Sequence, residues 1–188
     1  DALLPRTVAA CGLPGVARGS IIAEIWPKRG MDIVRTTRER LYRTDAIVLK
    51  RQDFGEADRV LTVLTPTHGK LRVVAKGVRR TSSRKAGHIE LFSQSEMLLA
   101  KGRSMDVITQ AQAINLFRAL HDDLLRFTYA SYFAELADKF LEENDTHQDV
   151  YVLLREALEE LVGEASDARL PLLGRFFELR LLGLVGYQ

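Results

Sequence analysis

Near Phe117 the apolar residues stop recurring at every second position and begin recurring at every third or fourth, so one chain must hold a strand-built part followed by a helix-built part. Before the switch, short β-rich runs can be read at 42–51, 59–65, 70–77, 89–100 and 104–117, separated by turn chemistry. Gln52 to Asp58 carries Gly55 and two aspartates, Pro66-Thr67-His68-Gly69 pairs a preset proline dihedral with a permissive glycine, and Lys101-Gly102-Arg103 is a tight connection. Five short, mostly antiparallel strands suffice to close a small barrel, for which the five-stranded oligonucleotide-binding (OB) fold is the economical choice; an open five-stranded meander is the alternative. After the switch, Phe117, Leu120, Leu124, Phe127, Ala130, Phe133, Ala134, Ala137 and Leu141 mark a first helix. Two more are expected at about 149–162 and from Pro171 to about Leu184, with proline where its missing amide does no harm. Such stripes predict the core of a helical bundle packed against the barrel.

The charge follows the same division. The chain's net +2 conceals +9 between Arg35 and Arg103 against −8 from Met105 to Gln188. Within the basic half, GKLRVVAKGVRRTSSRK at 69–85 holds seven Lys or Arg and no acid. On a strand, its alternation turns Leu71, Val73 and Ala75 to one face and Lys70, Arg72, Val74 and Lys76 to the other. The strand then runs into a loop, 77–87, where Arg79, Arg80, Arg84 and Lys85 stand among Thr81, Ser82 and Ser83. Cations with hydroxyl donors on an uncovered loop suit phosphates, whereas a solvated hairpin tip is the simpler explanation of the same residues. Lys70, Arg72, Lys76, Arg79, Arg80, Arg84 and Lys85 are therefore candidate nucleic-acid contacts, with Arg59 and Arg103 as additions that neighbouring carboxylates can also explain. Tyr42, Phe54 and Phe92 are available either to stack on bases or to fill the core.

Other classes find less support. No run reaches the ~18 to 20 consecutive apolar residues of a membrane span. One cysteine, Cys11, makes neither an internal disulfide nor a zinc cage. His68, His88, His121 and His147 are scattered without a metalloprotease or nucleophile-elbow spacing, and no phosphate-cradling G-x-x-x-x-G-K-[ST] loop is present. Glu56 and Asp58 form a carboxylate pair next to Arg59 that reads as loop-orienting. The chain reads as non-enzymatic, with no catalytic residue and no metal ligand assigned. Residues 1–40 read as a poorly ordered extension with Met31 as a candidate start, since Arg6 and Arg18 interrupt any signal-peptide core.

The runs YRTDAIVLK, GEADRVLTVLTPTHGKLRVVAKGVRR, SSR, LFS, YASYFAEL and FELRLLGLVGY, in this order, resemble the RecO family of bacterial DNA repair proteins from about Leu41 to the last residue. The resemblance implies an α+β chain with an N-terminal five-stranded OB barrel at 41–117 and an all-α helical domain at 118–188. It implies a cytoplasmic recombination mediator that binds single- and double-stranded DNA, anneals complementary strands and, with RecR, helps load RecA on strands covered by single-stranded-DNA-binding protein. In many family members a four-cysteine zinc ribbon follows the final Gly-Tyr; this sequence, without those cysteines, reads as a fragment lacking its C-terminal part, which leaves open a zinc site there or a family member without one, with no cofactor in this chain. The resemblance also implies that the acidic, apolar-tipped tail of single-stranded-DNA-binding protein is bound; among the sparse basic residues after Met105, Arg175, in the first turn of the third helix and immediately before Phe176 and Phe177, is the candidate receptor, whereas a solvated arginine or one paired with Glu178 explains the same residue. The residues themselves leave open an RNA-binding OB module, or an adaptor whose basic face meets an acidic protein tail.

Overall fold

In the computed structural model, which describes residues 40–81, 83–163 and 166–186, the run Ala46-Ile47-Val48-Leu49 is buried on both faces. Ala46 and Val48 point into a barrel with Leu61, Val63, Leu71, Val73, Met97, Leu99 and Ile108, while Ile47 and Leu49 point outward into a core shared with the helices. A strand covered on both sides reads as continuous apolar sequence rather than as alternation. The expectations for the N-terminal extension, including a start at Met31, and for the hydroxyl of Ser82 lie outside the described residues.

The barrel consists of β1 (Leu41–Phe54), β2 (Asp58–Thr65), β3 (Gly69–Ala75), β4 (Gln94–Ala100) and β5 (Asp106–Asn115). They close in the order β1-β2-β3-β5-β4, with β3 and β5 parallel and every other pair antiparallel. This is the OB-fold order, and closure removes the unpaired edges a meander would leave. The expected strand from 89 begins only at Gln94. Residues 89–93, which follow a 3-10 turn at Ala86–His88, form a loop in place of its first part. Phe92 sits there at φ 67, its amide on the Val48 carbonyl at 2.9 Å and its ring 5.3 Å from that of Phe127. Burial of that ring fixes a left-handed backbone that a phenylalanine rarely adopts, and the strand cannot continue through it.

The helices are α1 (Ala119–Asp122), α2 (Leu124–Phe140), α3 (Gln148–Val162) and α4 (Leu170–Leu184). The first expected helix is broken at Asp123, whose extended backbone leaves its carboxylate free to accept the amides of Leu125 and Arg126 and so cap α2. Val150, Leu153, Leu154, Ala157, Leu158 and Leu161 form the buried stripe of α3, and Leu170, Gly174, Phe177 and Leu181 that of α4. Phe177 stacks on Phe133 with ring centroids 4.3 Å apart, and Gly174 lets the ring of Tyr129 approach: a Cβ there would lie 3.2 Å from it.

Barrel and helices are joined at the β2–β3 turn. Gly69, at φ +68, lies so close to the α2–α3 loop that a Cβ would collide with the Asp145 carbonyl oxygen. The Asn144 amide donates to the Lys70 carbonyl at 2.9 Å. Lys70 itself is buried, its Nζ donating to the main-chain oxygen of Asp138 at 2.5 Å with the Asp138 carboxylate at 3.3 Å. That oxygen belongs to the last turn of α2, where carbonyls lack an intrahelical partner and favour a cation. The cationic outer face expected of β3 is therefore partly a docking surface.

Candidate nucleic-acid interface

The end of the barrel formed by the β1–β2 hairpin and the segment after β3 is built from two stretches that lock together. Gly55, at φ +61, turns the hairpin. Asp58 accepts the Gly77 amide at 2.7 Å, and the Arg79 amide donates to the Ala57 carbonyl at 3.0 Å. The Gly-Glu-Ala-Asp-Arg turn thereby holds the Lys-Gly-Val-Arg-Arg loop. Asp58 is a structural anchor, as its position beside Arg59 suggested.

Asp53 organises the cations around this tip. Its carboxylate receives Arg59 Nε at 2.8 Å and lies 3.5 Å from Arg79 Nε, while Arg79 Nη1 donates to the Gly55 carbonyl at 3.2 Å. The hydrogen bond from Arg59, helped by the charges of Arg79 and Arg51, holds the Asp53 carboxyl below its ordinary value against opposing desolvation. Asp53 thus stays ionised, and two arginines keep fixed orientations at the surface.

The nine candidate cations separate by what already holds them. Lys76, Arg80 and Arg84 are exposed and have no ion-pair or hydrogen-bond partner for their side chains among the described residues. Arg59, Arg79, Arg72 and Lys85 are tethered: Arg72 lies 3.9 Å from Glu143, and Lys85 Nζ donates to the Ile108 carbonyl at 3.0 Å. Lys70 is removed from the surface altogether, because capping α2 uses its charge. Arg103 is exposed but distant in topology. The β4–β5 turn adjoins the start of β1 through Leu41↔Ala100, whereas the arginine tip adjoins its end through Phe54↔Asp58.

Lys50 was not anticipated. A register shift between Val48 and Lys50 turns this side chain outward, against the inward alternation of Ala46 and Val48. It lines a hollow of about 250 Å³ with Gln52, Thr62, Arg72, Asp138 and Glu143. Of the three candidate aromatics, Phe92 is core and Tyr42 is half-buried, its ring tilted 38° to that of His68 at 4.5 Å and its hydroxyl bonded to Asp106 at 2.5 Å. Burial and that bond raise the Tyr42 hydroxyl well above its ordinary value. Phe54 alone is open, 55% exposed.

The helical half requires a correction. Arg175 stands in the second turn of α4, not the first, and donates to Glu178 at 2.8 Å; Glu178 also accepts Tyr132 Oη at 2.7 Å. Phe177 is fully buried against Phe133 and offers no wall to a ligand. Phe176 is exposed, but the groove of about 400 Å³ that it lines is rimmed by Glu156, Glu159 and Glu160, which repel an acidic tail. No group of three or more His, Cys, Asp or Glu side chains is placed to hold a metal among the described residues.

Comparison with known proteins agrees with this architecture. Residues 40–117 match the family model described as Recombination protein O N terminal, and residues 121–188 that described as Recombination protein O C terminal. The chain is 44% identical over 152 residues to a protein of Roseiflexus sp. named DNA repair protein RecO, covering 80% of this chain and 52% of that protein. Proteins of the same name from Pelotomaculum thermopropionicum and Desulforudis audaxviator are 38% and 44% identical, over 79% and 78% of this chain and 56% and 57% of their own lengths. The chain spans a little over half the length of these curated relatives.

Proposed function

The chain belongs to the RecO family of DNA repair proteins, and on that premise we propose that it binds single- and double-stranded DNA without sequence preference and anneals complementary strands. With RecR, this activity helps load RecA on strands covered by single-stranded-DNA-binding protein. The observation that carries the reading is the set of exposed cations Lys76, Arg80 and Arg84, without side-chain partners among the described residues, on a segment clamped to the β1–β2 turn. Fixed cations at a barrel end displace the counterions condensed on a phosphate backbone, which gives affinity independent of sequence. Two strands held on such a surface repel each other less, and base pairing supplies the remaining driving force.

Nothing in this mechanism breaks a covalent bond. Annealing of complementary oligonucleotides by this chain is expected to proceed without a nucleoside triphosphate and in the presence of a metal chelator, followed by the loss of single-strand fluorescence. A strict requirement for ATP overturns the proposal. Competition between DNA and RNA oligonucleotides of one sequence separates it from an RNA-binding OB module: displacement by RNA alone favours the latter.

A further inference from the structure

Phe54 closes β1 at the hairpin tip, opposite Asp58 and immediately before the Gly55 turn. It is 55% exposed, belongs to neither apolar core and has no aromatic ring partner among the described residues. Single exposed apolar side chains are common and by themselves mean little. This one differs in its setting. Arg79 grips the residues on both sides of it, the Asp53 carboxylate at 3.5 Å and the Gly55 carbonyl at 3.2 Å, and Arg59 holds Asp53 from the facing strand. The tip is further fastened by Asp58 to Gly77 and by Ala57 to Arg79. An apolar ring is thus presented on a rigid turn whose other face carries two ordered guanidinium groups, a combination that suits a ligand with an aromatic face beside an anionic backbone.

Resting on the DNA-binding reading above, we infer that Phe54 is a stacking platform for one unpaired base of a single strand whose phosphates lie on the neighbouring arginines. Strand alternation sets the ring on the other side of the ribbon from the Asp53 carboxylate. A strand tracking Arg59 and Arg79 therefore meets the ring where one base swings past the tip, not along a run of bases. Duplex bases are already stacked and paired, so the ring adds affinity for single strands and none for duplex.

The test measures equilibrium binding by the chain and its Phe54→Ala and Phe54→Trp variants to three probes: a mixed-sequence single strand, the same strand with every base replaced by an abasic sugar, and the duplex. Phe54→Ala should weaken binding of the normal single strand about five- to tenfold, leave the duplex and the abasic strand unchanged, and leave the salt dependence intact because no charge is lost. Phe54→Trp should retain affinity and show fluorescence quenched by the normal strand but not by the abasic one; Trp26, the natural tryptophan, is subtracted with the parent protein. Equal losses on all three probes, or no loss on any, overturn the inference while leaving DNA binding standing. Failure of the parent chain to bind any probe overturns the DNA-binding reading and the inference with it.

Discussion

Lys70 shows how a cation in a basic run is diverted to structure. Its ammonium satisfies the Asp138 carbonyl at the end of α2 and faces the same residue's carboxylate, in a site where its side chain is 11% exposed. Lys70→Ala would leave that part-buried acceptor without its donor, at a cost of roughly 1–3 kcal/mol. The expected result is a lower denaturation midpoint in urea with no change in the salt dependence of DNA binding. A changed salt dependence with full stability would return Lys70 to the interface. The sequence alone does not reveal this, since Lys70 and Arg72 are two residues apart on one strand and differ only in what the helical half sets against them.

At the scale of elements, the strand and helix stripes were legible because each follows one period with one buried face. Leu71, Val73 and Ala75 on β3, and the stripe Val150, Leu153, Leu154, Ala157, Leu158 and Leu161 on α3, are buried as their spacing predicts. Other features were illegible for physical reasons. The register shift after Val48 reverses the facing of Lys50, a capping aspartate divides α1 from α2, and Phe92 holds a left-handed conformation that only its burial explains. On α4 the adjacent rings of Phe176 and Phe177 look alike in sequence, yet one is exposed and the other lies in the core. Phe177→Ala should destabilise the chain by about 3–5 kcal/mol through the cavity it leaves against Phe133. Arg175→Ala, which removes only a surface pair with Glu178, should leave the thermal midpoint unchanged. Comparable losses from both would mean that the α4 surface carries structural weight not seen in its contacts.

For the molecule as a whole, the charge division becomes a spatial arrangement. The acidic helical half supplies Asp138 and Glu143 to Lys70 and Arg72 at the junction, and among the described residues the exposed cations without a side-chain partner include Lys76, Arg80 and Arg84 in the segment after β3. No helix among the described residues is long and apolar enough to cross a membrane. If Lys76, Arg80 and Arg84 capture phosphates, their removal must change how binding responds to salt, because each captured phosphate releases counterions. The decisive quantity is the slope of log K against log salt for single-stranded DNA, measured on the parent chain and on the Lys76→Ala, Arg80→Ala, Arg84→Ala triple variant. Each phosphate contact removed should lower the slope by roughly 0.7, and the triple variant by up to roughly 2 in all. A slope identical to that of the parent chain would rule out phosphate capture by these three cations and place the DNA elsewhere.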